Sequence, residues 1–253
     1  MGRPPLRSRR PLVAVAFGLL LTSCTATQAR EGAITVLGAA SLTEAFEEIA
    51  TAFEADHEGI RVHLSFDGSA RLATSIVEGA PADLFASADQ ATMDTVRDAD
   101  RLTGEQSNFA TNVLQIVVPD GNPLDIESLA DLGRSDVTLS LCGTEVPCGA
   151  YAAQAFERAG LATPAAGDQG NVKGVLAQVQ LGEADAGIVY RTDVLAAEGV
   201  EGVDLDAAGT AAITYSGSVL ADASNPEAAA AFLGFLLSER AQAILNRLGF
   251  GPP

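Results

Sequence analysis

The chain of 253 residues contains no tryptophan, and only 5% of its residues are aromatic. Aromatic platforms for stacking sugars or nucleobases are therefore not expected. Two histidines and three cysteines offer few ligands for a metal enzyme. Only 15 basic residues face 33 acidic ones, which gives a formal charge of −18. This charge excludes nucleic acid as an expected partner, because binding to phosphates needs a basic surface.

The hydrophobic fraction of 47% is typical of a globular protein with a substantial core. The length allows one large domain or two smaller lobes.

The first residues have the features of an export signal. Residues 1–10 hold four arginines and no acid, and residues 12–21 form an apolar run that is too short to cross a bilayer as a helix. The following Leu21-Thr22-Ser23-Cys24 resembles the cleavage site of a bacterial lipoprotein. We expect residues 1–23 to be a signal peptide, Cys24 to carry the lipid and residues 24–32 to be a tether on the extracytoplasmic face of the membrane. An ordinary secretory signal with an incidental cysteine is the alternative.

The two remaining cysteines are close in sequence. Cys142 and Cys148 lie six positions apart, and in an exported protein such a pair is typical of a disulfide that closes a small loop. Free buried thiols are the alternative. A zinc site is disfavoured because His57 and His63 lie in distant segments.

Short apolar runs alternate with helically spaced ones along the chain, which predicts the α/β class. Two long apolar segments, near residues 108–118 and 211–220, are candidates for strands by which the chain leaves one lobe and returns to it. The predicted first lobe is 33–110 plus 217–253, and the second lobe is 111–216.

Several predicted strands lead into helices through turns of small residues. A helix N-terminus presents free N–H groups and a partial positive charge, so several such ends aimed at one point make an anion site. Ser41 and Ser69 stand at two of these turns and could add hydroxyl donors. The segment from Ser41 to Glu44 fits a capping box at the start of the first helix. The alternative to a binding role is that both serines are ordinary N-caps.

Five segments resemble the molybdate-binding (ModA-type) proteins of bacterial ABC transporters. They occur in the family's order, and the resemblance covers about residues 33–253. The segments are AASLT at 39–43, GAPADLFASAD at 79–89, VPCGAY at 146–151, GIVY at 187–190 and LGF at 248–250.

The resemblance implies a two-lobed periplasmic-binding-protein fold of type II with two crossover strands and a tetrahedral oxyanion in the cleft. It also implies a non-enzymatic, monomeric protein that delivers molybdate or tungstate to a membrane permease, without a cofactor or cation site. Cys148 stands where the family commonly has a small residue. The ligand-binding residues that the resemblance implies are Ser41, Ser69, Cys148, Val172 and Tyr190.

Two other functions remain open from the sequence. A receptor for sulfate or another small anion would use the same neutral donors. An enzyme on the same fold would need an activated nucleophile or an acid–base pair, and the sequence shows no pattern of that kind. The roles of Asp67, which follows the second strand, and of Lys173, the only lysine, are also left open.

Overall fold

The computed structural model describes residues 1–2, 32–205 and 211–253. Cys24, the predicted signal peptide beyond residue 2 and the predicted tether up to residue 31 lie outside the described residues. Gly32, assigned to the tether by the sequence, is the first residue of the first strand.

Within the described residues, the chain forms ten strands and eight α-helices. The strands are β1 Gly32–Ala39, β2 Ile60–Asp67, β3 Leu84–Ser87, β4 Leu102–Asn112, β5 Leu114–Pro119, β6 Leu139–Cys142, β7 Gly167–Gln169, β8 Ala186–Tyr190, β9 Val200–Asp204 and β10 Ile213–Leu220. The helices are α1 Thr43–Asp56, α2 Ser69–Val77, α3 Gln90–Asp98, α4 Pro147–Arg158, α5 Val172–Gln180, α6 Arg191–Leu195, α7 Pro226–Leu236 and α8 Glu239–Arg247.

The strands form two five-stranded sheets. The first has the order β2-β1-β3-β10-β4, with β1 parallel to β2 and β3 and with β10 antiparallel to both its neighbours. The second has the order β7-β6-β8-β5-β9, with β6 parallel to β7 and β8 and with β5 antiparallel to both its neighbours. Helices connect the parallel strands, so the predicted two-lobed α/β class is confirmed.

The chain passes between the sheets at two places. It leaves the first sheet after Asn112, enters the second at Leu114, and returns between the end of β9 and Ile213. The sequence placed the return at residue 217, but the whole of β10 belongs to the first sheet. Its first residue, Ile213, already pairs with Asn112, and this pairing along β4 holds the strand there.

The core of each lobe follows the helical spacing of its apolar residues. On α1 the residues at i, i+3 and i+7, which are Phe46, Ile49 and Phe53, are fully buried. Phe232 of α7 packs edge-on against Phe53, with ring centroids 5.1 Å apart. Val175 of α5 is buried in the same way in the second lobe.

Among the described helices, no single one is both long and apolar enough to cross a membrane. Only α7 and α8 taken together pass that test by length and composition, and the two helices are bent by 59°.

Candidate ligand-binding site

A cavity of about 20 Å³ lies where turns from both lobes meet. This volume is far below the usual range for drug-sized ligands and suits a small ion or molecule. All five residues that the resemblance named line this cavity. The lining residues are Ala39, Ala40, Ser41, Gly68, Ser69, Ala88, Val146, Pro147, Cys148, Asn171, Val172 and Tyr190.

Ser41 lies in a short 3-10 turn between β1 and α1. The helix α1 begins at Thr43 with Leu42 as its N-cap and with no side-chain cap hydrogen bond. The predicted capping box from Ser41 to Glu44 is therefore wrong, because the intervening 3-10 turn displaces Ser41 from the cap position. The Ser41 hydroxyl instead lies 2.8 Å from the Tyr215 hydroxyl, and both residues are buried.

Ser69 is the first residue of α2, and Gly68 takes the N-cap position without a side-chain bond. The Ser69 hydroxyl accepts the Ala88 N–H at 3.1 Å. Neither serine is thus an ordinary N-cap, and both hydroxyl oxygens are bonded inside the protein. Gly68 is required for close approach of the lobes, since a Cβ there would lie 2.4 Å from the Gly170 carbonyl oxygen.

Cys148 is the second residue of α4 and forms a disulfide with Cys142 at the end of β6. The first N–H groups of a helix have no intrahelical acceptor, so the Cys148 N–H is free of the helix ladder. Gly149 permits the tight packing of this loop, because a Cβ there would lie 2.0 Å from the Gly143 carbonyl oxygen. The disulfide and the loop together fix the start of α4 at the cavity.

Val172 opens α5, and its N–H is equally free of the helix ladder. Asn171 is the N-cap, and its Oδ1 accepts the Gly174 N–H at 3.1 Å. The Asn171 Nδ2 donates across the cleft to Asp67 at 2.9 Å. The start of α5 is therefore held both by its own cap and by the first lobe.

Tyr190 ends β8 with a buried side chain, and its hydroxyl has no hydrogen-bond partner among the described residues. Burial raises the pKa of Tyr190 well above its ordinary value, so the hydroxyl stays protonated and is a neutral donor. A buried unpaired hydroxyl costs on the order of 1–3 kcal/mol. Its position on the cavity wall allows this hydroxyl to donate to a small molecule in the cavity.

Every side chain that lines the cavity, within the part of the chain that the structure describes, is uncharged. Positive potential comes instead from the N-terminal ends of α2, α4 and α5 and from the turn before α1, which all meet there. The arrangement supplies hydrogen-bond donors without a carboxylate acceptor and without a lysine or arginine.

Asp67 and Lys173 lie beside the cavity and outside its lining. The Asp67 carboxylate accepts the Gly68 N–H at 2.7 Å and lies 3.6 Å from the Arg71 guanidinium. The Lys173 ammonium forms ion pairs with Glu44 at 2.7 Å and with Asp193 at 3.2 Å. Burial lowers the pKa of Lys173, but the Asp193 and Glu44 carboxylates outweigh this effect and raise it above its ordinary value.

The sequence did not single out Asn112, which ends β4 and donates from Nδ2 to Thr192 at 2.9 Å and to Tyr215 at 3.4 Å. Asn112 carries no local motif, so only the pairing of β4 with β10 brings it near the site.

The histidines are outside the site. His57 stacks on Phe53 with ring centroids 4.0 Å apart, and His63 is exposed on β2. Among the described residues, no group of three or more histidine, cysteine or acidic side chains is placed to hold a metal ion.

Comparison with protein families gives a match to the bacterial extracellular solute-binding proteins over residues 34–251. The chain is 39% identical over 221 residues to the molybdate-binding protein ModA of Mycobacterium tuberculosis, which covers 87% of this chain and 85% of the relative. It is 29% identical over 249 residues to the putative ABC transporter substrate-binding lipoprotein YvgL of Bacillus subtilis. That alignment covers 94% of this chain and 96% of the relative.

Solved structures show the same fold. The periplasmic molybdate-binding protein of Azotobacter vinelandii superposes with a TM-score of 0.75 at 19% identity, over 87% of this chain and 99% of that one. The sulfate-binding protein SubI of Mycobacterium tuberculosis superposes with a TM-score of 0.77 at 20% identity, over 87% of both chains.

Proposed function

The chain belongs to the bacterial extracellular solute-binding proteins and, within them, to the ModA-type molybdate-binding proteins, and from this membership we propose that it captures molybdate or tungstate for an ABC importer. The oxyanion binds in the cavity between the lobes. The protein acts outside the cytoplasm and hands the anion to a permease in the membrane.

The observation that carries this proposal is the unpartnered Tyr190 hydroxyl in a cavity with an uncharged lining. A neutral phenol next to free helix N–H groups calls for an acceptor, and a dianion supplies several acceptor oxygens. The proposed donors are the hydroxyls of Ser41, Ser69 and Tyr190 and the backbone N–H groups of Cys148 and Val172.

Binding energy in this proposal comes from neutral donors close to a charged ligand. A hydrogen bond to a charged group is worth about 1.5–3 kcal/mol, so five of them can offset the dehydration of a dianion. Ser41 and Ser69 belong to the first lobe, whereas the other three donors belong to the second. Closure of the lobes therefore completes the set of donors.

The proposed role is binding without catalysis and without a resident cofactor or cation. Tyr190 is the titratable side chain on the described cavity lining, and its raised pKa keeps it from acting as a base at neutral pH. Sulfate is the alternative ligand, because it offers the same charge to the same donors and differs in size.

We also propose that Cys24 is acylated and anchors the monomeric protein to the membrane. The support is the Leu21-Thr22-Ser23-Cys24 segment together with the lipoprotein name of the Bacillus subtilis relative. Incorporation of labelled palmitate into the wild type, and its loss in Cys24→Ser, would test the anchor.

Titration calorimetry with molybdate, tungstate, sulfate and phosphate tests the ligand. We expect micromolar or tighter binding of molybdate and tungstate and much weaker binding of the other two anions. Tyr190→Phe should weaken molybdate binding by about 10- to 100-fold, since it removes one donor to a charged ligand. Tyr151→Phe is the matched control, because Tyr151 lies outside the lining. Tighter binding of sulfate than of molybdate would replace the proposed ligand.

A further inference from the structure

A chain of buried hydrogen bonds runs from the strand where the chain leaves the first sheet to the cavity wall. Asn112 at the end of β4 donates from Nδ2 to the Tyr215 hydroxyl at 3.4 Å, and the Tyr215 hydroxyl lies 2.8 Å from that of Ser41. The three residues are 3%, 0% and 3% exposed, so water does not compete for these bonds. The chain ends on a proposed donor to the anion.

The direction of these bonds follows from the partners of Asn112. Its Oδ1 accepts the Val113 N–H at 2.9 Å, which leaves Nδ2 to face Tyr215 and Thr192. The Tyr215 hydroxyl oxygen therefore accepts a hydrogen bond from the Asn112 amide N–H. Burial raises the pKa of Tyr215 far above its ordinary value, so the phenol keeps its own proton.

That phenol proton needs an acceptor, because an unpaired buried donor is costly. Ser41 Oγ is the acceptor that the described residues place within hydrogen-bond distance of it. When Ser41 accepts from Tyr215, its own proton is left to point into the cavity. Ser69 shows the same arrangement, since its oxygen accepts the Ala88 N–H and its proton remains free.

We propose that Tyr215, held by Asn112, is a positioning residue that directs the Ser41 proton toward the bound anion. The proposal rests on the proposed oxyanion site. Its consequence is that Ser41 is fixed as a donor before the ligand arrives, so no hydroxyl rotation has to be restricted on binding. An anion that carries its own proton needs an acceptor for that proton. Because Ser41 offers a donor at this position, such an anion should bind less tightly.

Tyr215→Phe separates this role from packing. The change removes one oxygen and keeps the ring, which packs against Phe250 and Tyr190 with centroids 5.5 Å and 6.0 Å away. We expect molybdate affinity, measured by calorimetry on the purified protein, to fall about 5- to 30-fold. Tyr151→Phe should change it less than twofold.

A double-mutant cycle with Ser41→Ala gives the decisive comparison. If Tyr215 acts through the Ser41 hydroxyl, Tyr215→Phe should weaken binding less than twofold in the Ser41→Ala background. An equal loss in both backgrounds would show that Tyr215 acts through packing, and an unchanged affinity in the single variant would also overturn the proposal.

A second variant keeps the proposal testable if Tyr215→Phe does not fold. Asn112→Asp replaces the donor to Tyr215 by an acceptor, which draws the phenol proton away from Ser41. Its added charge acts in both the wild-type and Ser41→Ala backgrounds and therefore cancels in the cycle. We expect Asn112→Asp to reduce the affinity for molybdate more in the wild-type background than in Ser41→Ala. Equal losses of affinity in the two backgrounds would overturn the proposal. Wild-type protein that binds sulfate and not molybdate would contradict the proposed ligand alone, and the cycle would then be measured with sulfate.

Discussion

Lys173 of the second lobe places its ammonium 2.7 Å from the Glu44 carboxylate of the first lobe. The amide of Asn171, two residues earlier, donates to Asp67 of the first lobe at 2.9 Å. Both bonds cross the cleft next to Val172, whose N–H is a proposed anion donor. The described conformation is thus a closed one, held by polar bonds that open lobes would lack.

Glu44→Gln should speed release of the anion. The ion pair is partly exposed, so its loss is worth less than about 1 kcal/mol and should raise the dissociation rate about two- to fivefold. Glu47→Gln on the exposed face of the same helix removes the same charge without touching Lys173 and is the control. Stopped-flow dissociation of molybdate measures both variants, and equal rates for the two would exclude the ion pair as a closing contact.

Deprotonation of the buried Asp193 carboxyl should lower the free energy of unfolding as the pH rises from 4 to 7.5. Its side chain is buried against the Lys173 ammonium, with the Glu44 carboxylate and the Tyr190 N–H nearby. Burial raises the pKa of Asp193 from 3.8 to about 6, and Lys173 only partly opposes this effect. The folded state therefore binds the proton more tightly than the unfolded state, and the resulting stabilisation is complete below pH 4 and lost through pH 6.

Urea unfolding of the wild type and of Asp193→Asn over this pH range measures that effect. The stability of the wild type relative to the variant should fall by roughly 2 kcal/mol between pH 4 and pH 7.5, at about 1.4 kcal/mol per pKa unit. A difference that stays constant over the range would mean that Asp193 titrates alike in the folded and unfolded states.

Local patterns in the sequence were enough for most of the fold. The helical spacing of Phe46, Ile49 and Phe53 predicts α1, and the apolar run before Tyr190 predicts β8. The strand β4 was missed over most of its length, because residues 103–108 are mainly polar and follow no strand pattern. Its pairing with β10, more than 100 residues away, holds it in the sheet.

The sequence likewise predicted some residues of the candidate site and missed others. The five predicted ligand residues lie at or next to the points where strands lead into helices, and the structure brings all five to one cavity. Asn112 and Tyr215 reach the site only through the register of two distant strands, in which Ile213 pairs with Asn112. A contact that depends on such a register has no signature within either segment.

Reduction of the Cys142–Cys148 disulfide should weaken both the fold and the site. The bond closes a loop of six positions between β6 and α4, and a loop of this size is worth roughly 2 kcal/mol in the chain-entropy account. Cys148 also carries a proposed anion donor, so loss of the bond frees the start of α4 to move. Thermal unfolding and molybdate titration of the Cys142→Ser/Cys148→Ser variant should show a lower Tm and an affinity reduced several-fold. Cys24→Ser, which keeps the disulfide, is the control. An unchanged affinity in the double variant would mean that packing at Gly149 alone positions the backbone N–H of residue 148.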